Sequence, residues 1–230
     1  MIELDRPVWA SLTTFHVSVA EGDERARRFV PEVNLFASAR DDEPEAQAAL
    51  AALVPPGERV YVLQVPPVLV PSGLRAIKTA GGVQMVATRQ LTEEHEDECE
   101  SLTEDDAPEM LALASLTEPG PFLARTHQMG RFLGIRRGGR LAAMAGERMR
   151  FPGHTEVSGV CTHPDFRGQG LARRLSTAVV AAIQRRGDRA FLHAWATNTP
   201  AIALYRSLGF EVRAEVNVAV LERAPDEPPG

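Results

Sequence analysis

The chain has almost no lysine: Lys78 is alone among 25 basic Lys and Arg residues. That imbalance reads as genome composition, not function. Cysteine is nearly absent too. Cys99 and Cys161 are the only two, which excludes a disulfide framework and, without His/Cys pairs at ligand spacing, a zinc site, so no metal is expected. A basic excess is missing, since the formal net charge is −6. Nucleic-acid binders carry a basic stripe, so no nucleic-acid partner is expected. No apolar run is long enough for a membrane span; AVVAAI at 178–183 is far too short. The opening MIELDRPVW has no basic region followed by an apolar run, so no secretory signal is visible. The expectation is a cytoplasmic enzyme or binding protein with no membrane partner. The sequence carries no reading of oligomeric state.

What is present is ordinary for a soluble protein with a core: 230 residues, 44% hydrophobic and 24% charged, enough for one large domain or two modest ones. Charge is uneven. Residues 1–100 hold 9 basic and 17 acidic side chains, and residues 101–230 hold 16 and 14. The mild positive bias of the second part suits a small anionic ligand. In the first part, Val8–His16 and Arg59–Val65 have strand-like composition. Ser38–Leu53 reads as helix, with Pro44 near its start and Pro55-Pro56-Gly57 as its stop. Val65–Pro71 is too rich in proline to lie inside a sheet, and Gly82–Gln90 is another strand candidate. The acidic run Glu93–Glu100 marks a boundary. The chain therefore divides into a smaller divergent α/β domain over 1–97, a second domain over 98–223, and a charged, proline-rich tail over 224–230 expected to be disordered.

In the second part the signals sharpen. Cys99–Leu102 reads as a short strand, and Thr103 with Asp106 as a capping-box pair opening a helix that stops before Pro119-Gly120-Pro121. Ala124–Gly130 is a second short helix. Phe132–Arg136 and Arg140–Arg148 flank Gly138-Gly139 as a hairpin. Thr155–Cys161 is the next strand. Leu171, Leu175, Val179, Ala182 and Ile183 share one face of a helix over Gly170–Arg186, stopped by Gly187. Ala190–Trp195 is a strand, and Thr199 caps a helix with Pro200 at its first position. Phe210–Arg213 and Val216–Leu221 close the chain as two strands joined by a 213–216 hairpin.

Between Thr155 and Gly170 a strand feeds a glycine-rich loop and then a helix, which is an anion site in outline. The loop, Arg167-Gly168-Gln169-Gly170-Leu171-Ala172, has Arg167, Gly170 and Ala172 at the fixed positions of Q/R-x-x-G-x-G/A. A second block runs from Asn198-Thr199-Pro200-Ala201 through Ala203-Leu204-Tyr205 to Leu208-Gly209-Phe210. With both blocks in this order, residues 99–223 resemble the GNAT superfamily of N-acetyltransferases. Rossmann and P-loop readings fail: position 173 is Arg where G-x-G-x-x-G needs Gly, and no GK[ST] follows.

The resemblance implies an α/β (α+β) GNAT fold: a mixed central sheet with splayed strands and flanking helices. It implies acetyl-CoA as co-substrate, a small-molecule primary amine or amino acid as acceptor, and direct attack in a ternary complex. Arg167, Gly168, Gln169, Gly170, Leu171 and Ala172 would hold the pyrophosphate. Pantetheine would lie along Val160, Cys161 and Thr162, with Asn198 beside it. A bulge at Gly159 would point the Val160 N–H at the thioester carbonyl. Glu156 aligns with a carboxylate general base, whose pKa partial burial would raise, against a surface carboxylate on a strand edge. Tyr205 would be the general acid toward the departing thiolate, against a core tyrosine. His154 and His163 are rival bases read as structural, and Cys161 reads as inert. The acceptor is expected to touch the 103–131 helices, the 213–216 hairpin and the first domain, and the acidic balance of residues 1–100 suits either a cationic acceptor or solubility. The competing class is a non-catalytic acyl-CoA-binding regulatory module.

Overall fold

The computed structural model describes residues 3–92 and 98–224. The chain forms two compact units. The first takes the described residues up to Pro31, Leu35–Gly82 and those from Glu215 onward; the second takes Glu32–Asn34 and Val83–Ala214. The expected boundary at 97/98 is therefore displaced: Val83–Thr92 belongs to the second unit and the end of the chain to the first. Of the expected tail only Ala224 lies among the described residues, and Glu93–Asp97 of the acidic run lie outside them.

In the first unit, α1 (Pro7–Leu12) occupies the stretch expected as a strand. Pro7 at the first helical position presets φ, and Val8, Ser11 and Leu12 are buried at helical spacing. Burial of that face overrides the β-branched composition. A three-stranded antiparallel sheet follows, β1 (Ala20–Gly22), β2 (Ala26–Phe29) and β3 (Ala37–Ala39). Then come α2 (Pro44–Ala52) and β4 (Arg59–Gln64). β4 pairs antiparallel with residues 217–222 of β11 (Phe210–Arg223). Ala26, Ala37, Leu50, Val60, Val62 and Leu221 form its core.

β5 runs over Leu74–Ala87, eight residues earlier than expected, because residues 75–79 are all exposed and show no alternation. β11 is one 14-residue strand, so the 213–216 hairpin does not exist. Arg213-Ala214-Glu215-Val216 contains no residue that prefers a turn. Both strands pass from one unit into the other.

The second unit contains β6 (Glu100–Leu102), α3 (Ala107–Thr117), β7 (Phe132–Arg137), β8 (Arg140–Phe151), β9 (His154–Thr162), α4 (Leu171–Arg185), β10 (Arg189–Trp195) and α5 (Thr199–Ser207). Its sheet order is β11-β5-β10-β9-β8-β7-β6. β6 through β9 pair antiparallel, and β9 with β10 parallel, which gives the mixed sheet expected. Thr103 and Asp106 form the expected capping box. Ala124–Gly130 holds a 3-10 helix over Thr126–Met129.

Alternation along the strands sends side chains to opposite faces. Leu133, Ile135, Ala143 and Ala145 pack with α4 residues Leu171, Leu175, Val179 and Ile183. Phe132 and Met144 pack with α3 residues Met110, Leu113 and Ala114. Among the described residues no helix is long and apolar enough to cross a membrane.

Candidate active site

Val157 packs in the α4-side cluster and Cys161 in the α3-side cluster, although residues four apart on a regular strand share a face. The register explains the reversal. Met144 pairs with Cys161 and Gly146 with Ser158, so Gly159 and Val160 together oppose Ala145. This is a β-bulge, and its extra residue leaves ladder groups unpaired. Gly159 carries it at φ +62, and a Cβ there would stand 2.9 Å from Phe132 Cε1. Backbone conformation and crowding both demand glycine. On the opposite edge, β9 pairs with β10 only over His154–Glu156 against Arg189–Phe191. Beyond Glu156 the two strands part, as a wedge between them requires.

Past β9 the chain enters the loop. Gly168 and Gly170 sit at φ +77 and +75, and Gly170 is the N-cap of α4. A Cβ on either would meet nothing within 4 Å, so conformation and not crowding selects glycine. No side chain caps α4, and the first-turn N–H groups of a helix have no intrahelical partner. Arg167, Gly168, Gln169 and Gly170 are exposed. Leu171 turns its side chain into the core, so only its backbone faces the loop. The free amides, the open glycine faces and the wedge beside them fit an elongated ligand with a phosphorylated head.

Tyr205 of α5 is 8% exposed and packs edge-on to Phe210, ring centroids 5.9 Å apart. Burial, and the charge of Cys161 beside it, push its phenol up to about 12. It therefore stays a proton donor across the physiological range. Burial also pushes the Cys161 thiol up to about 11, against hydrogen bonds with Thr117 and Met144, so this sulfur is inert as a nucleophile. Asn198, not Thr199, caps α5: its Oδ1 accepts from the Ala201 N–H at 3.2 Å. Thr162 Oγ1 is buried without a hydrogen-bond partner. His163 Nε2 accepts from Arg140 at 2.8 Å, and His154 stacks on Phe151 at 5.3 Å.

Glu156 differs from its expectation in charge state. It is 0% exposed. A second register shift sets Arg148 and Met149 of β8 opposite it. Arg148 grips its carboxylate through Nε and Nη2, both at 2.7 Å, and the Met149 N–H donates at 3.3 Å. His193 Nδ1 stands 2.7 Å from the other side. Burial alone would raise the carboxyl, but the Arg148 charge, its hydrogen bonds and the His193 hydrogen bond outweigh it and hold the pKa at about 2. The raised pKa expected from burial is overturned.

The network continues past His193. Gln84 Nε2 lies 3.1 Å from His193 Nε2, and Gln84 Oε1 accepts from Arg213 Nη1 at 2.9 Å. Arginine has only donors, so Arg213 fixes the Gln84 amide with nitrogen toward the ring. His193 then accepts at Nε2 and donates at Nδ1 to Glu156. Arg148, His193, Gln84 and Arg213 were not foreseen. The available signal was a charged Glu147-Arg148 pair inside the small-residue strand Leu141–Phe151. Glu147 is likewise occupied, by Arg186 at 2.7 and 2.9 Å.

Beside the bulge lies a pocket walled by Pro119, Gly120, Pro121, Phe122 and Phe132, with Thr126, Arg148, Ser158 and Gly159 completing it. The Phe122 and Phe132 rings meet edge to face at 5.6 Å. The loop that forms the wall is pinned from below. Thr126 Oγ1 donates to the Val33 carbonyl at 2.7 Å and accepts from the Leu123 N–H at 2.7 Å, and the Arg125 N–H donates to the Glu32 carbonyl at 3.0 Å. The wall residues 119–122 and Thr126 fall within the 103–131 stretch expected to contact an acceptor.

Three comparisons bear on this arrangement. Residues 132–219 match the model of the family described as FR47-like protein. A GNAT-family acetyltransferase structure from Novosphingobium aromaticivorans is 41% identical, with 98% of this chain and 100% of that one covered at a TM-score of 0.92. A GCN5-related N-acetyltransferase from Kribbella flavida is 18% identical, with 96% of each chain covered at a TM-score of 0.66, a likeness of fold. No curated protein sequence matches the chain.

Proposed function

Because this chain belongs to the GNAT family and is an acyltransferase, we propose that it moves an acetyl group from acetyl-CoA to a primary amine of a small molecule or amino acid. The amine attacks directly in a ternary complex. The observation that carries this reading is the bulge at Gly159–Val160 at the point where β9 leaves β10, followed by the open Gly168/Gly170 loop.

Acetyl-CoA supplies the thioester, an acyl carbon with a thiol leaving group. Backbone N–H groups of Arg167–Ala172 bind its pyrophosphate at the start of α4. Pantetheine lies in the wedge along Val160, Cys161 and Thr162, with Asn198 on the α5 side. The Val160 N–H donates to the carbonyl oxygen as negative charge collects there. The C–N bond forms as the C–S bond breaks: CoA leaves as the thiolate, and the nitrogen sheds its extra proton to water. Tyr205, held protonated, donates a hydrogen bond to the departing sulfur. A phenol at about 12 is a weaker acid than a thiol near 8.5, so it stabilises the thiolate without fully protonating it.

Glu156 does not take the ammonium proton. A carboxyl at about 2 facing an ammonium near 10 would accept that proton against a gap of about 8 units. The amine instead reacts from its deprotonated fraction, and Glu156 serves as the counter-ion that fixes Arg148. Calorimetric titration with acetyl-CoA, followed by thiol release with a panel of amines, tests the proposal. Saturable binding and amine-dependent release are expected. Folded protein that binds no acetyl-CoA refutes it.

A further inference from the structure

We infer that the acceptor is a primary amine on an apolar, ring-bearing body without a second cationic centre, an inference that rests on the acetyl-transfer reading above. The pocket beside the bulge presents Pro119, Pro121, Phe122 and Phe132. A Cβ on Gly159 would lie 2.9 Å from Phe132 and 3.9 Å from Phe122, so these rings border the backbone that faces the acyl group. An amine placed to attack there has its body against them. Flat apolar surfaces at that position favour a ring, through burial and edge-to-face packing.

Charge decides the rest. Among the described residues, the charged side chain lining the pocket is Arg148, and the lining contains no carboxylate. The two buried carboxylates nearest in sequence to the lining are engaged: Glu156 by Arg148 and His193, Glu147 by Arg186. A polyamine or aminoglycoside would bring additional ammonium groups to apolar walls, and among the described lining residues there is no carboxylate to meet them.

The test compares phenethylamine, ethylamine and spermidine at pH 8.5 with saturating acetyl-CoA, measuring thiol release. Phenethylamine is expected to exceed both others in kcat/KM by at least about tenfold, the worth of burying a ring. Phe122→Ala should raise KM for phenethylamine by about tenfold or more, while acetyl-CoA affinity measured by titration stays that of the wild type. Phe122→Leu, which keeps most of the buried volume, should fall between. Spermidine or ethylamine equal to or better than phenethylamine overturns the inference, as does a Phe122→Leu enzyme of unaltered phenethylamine KM. Failure to bind acetyl-CoA at all overturns the acetyl-transfer reading instead, so the two failures are distinct.

Discussion

Replacing Glu156 by Gln tests the reasoning about this site most directly, because the substitution changes charge while keeping shape. The carboxylate is fully buried and receives two hydrogen bonds from Arg148, one from Met149 and one from His193. Its pKa falls from 4.5 to about 2 on folding. At about 1.4 kcal/mol per unit, that difference contributes roughly 3 kcal/mol at neutral pH. Breaking a buried pair from one side costs about 3–5 kcal/mol, since the partner charge stays behind. The two figures agree. In Glu156→Gln the amide oxygen can still accept from Arg148, but the amide nitrogen faces another donor.

Urea unfolding followed by tryptophan fluorescence should therefore show Glu156→Gln about 3 kcal/mol less stable at pH 7. The sign with pH is fixed. A folded-state pKa below the unfolded value of 4.5 gives stability that is present above that value and lost as pH falls toward 2. The gap between wild type and variant should hold from pH 7 to 5 and shrink by more than half at pH 3. In the surviving folded enzyme, the rise of kcat/KM with pH should follow acceptor deprotonation in both proteins. Equal urea midpoints at pH 7 refute the counter-ion role. So does a wild-type limb near pH 6–7 that the variant lacks, since that limb would belong to a carboxyl raised by burial.

Thr126→Val removes both bonds of the Thr126 hydroxyl and leaves the Val33 carbonyl without it, a loss of about 1–3 kcal/mol; acceptor KM should rise severalfold while acetyl-CoA affinity in calorimetry stays put. Gly159→Ala faces both a φ of +62 and the Phe132 ring at 2.9 Å, so kcat should drop by more than about tenfold, measured by thiol release. Tyr205→Phe keeps the ring against Phe210 and should leave the melting temperature unchanged while lowering kcat by about 10²-fold or less. With its thiol pushed up to about 11, Cys161 should resist a disulfide reagent at pH 7 in native protein and react once urea is added.

The second unit was legible because its local signals agree with its tertiary contacts. Gly138-Gly139 made the hairpin, Thr103 and Asp106 the cap, and five apolar residues at helical spacing the face of α4. The first unit was not, for identifiable reasons. β1, β2 and β3 are three or four residues long, shorter than the alternation needed to announce a strand. The exposed stretch 75–79 of β5 shows no buried period at all. Pro7 outweighed the β-branched residues after it. The compact units divide elsewhere than 97/98 because β5 and β11 carry the chain between them in the middle of a strand, which composition does not mark.

Glu156 shows where sequence reading stops at the site. Its position on the strand before the bulge was readable; its burial was one of two readings, the other being a surface carboxylate on a strand edge. The direction of its pKa was not, because burial by itself pushes a carboxyl up. The reversal comes from Arg148, brought opposite by a register shift in β8, and from His193, two residues past the last pair of β10 with β9. His193 in turn is held by Gln84, and Gln84 by Arg213. These partners lie 8, 37, 72 and 57 positions from Glu156, on four strands. No local pattern encodes such a set; pairing register does. The same register that turns β9 over at Gly159 leaves Arg148, and among the described residues no carboxylate, as the charged side chain lining the pocket proposed for the acceptor. Under the proposed acetyl transfer, the protein binds and orients an uncharged amine and leaves proton removal to the amine's own equilibrium in water. The acid limb of the rate should consequently move with the acceptor's pKa when one amine is exchanged for another. A limb that stayed fixed across amines of different basicity would mean that a group on the protein takes the proton.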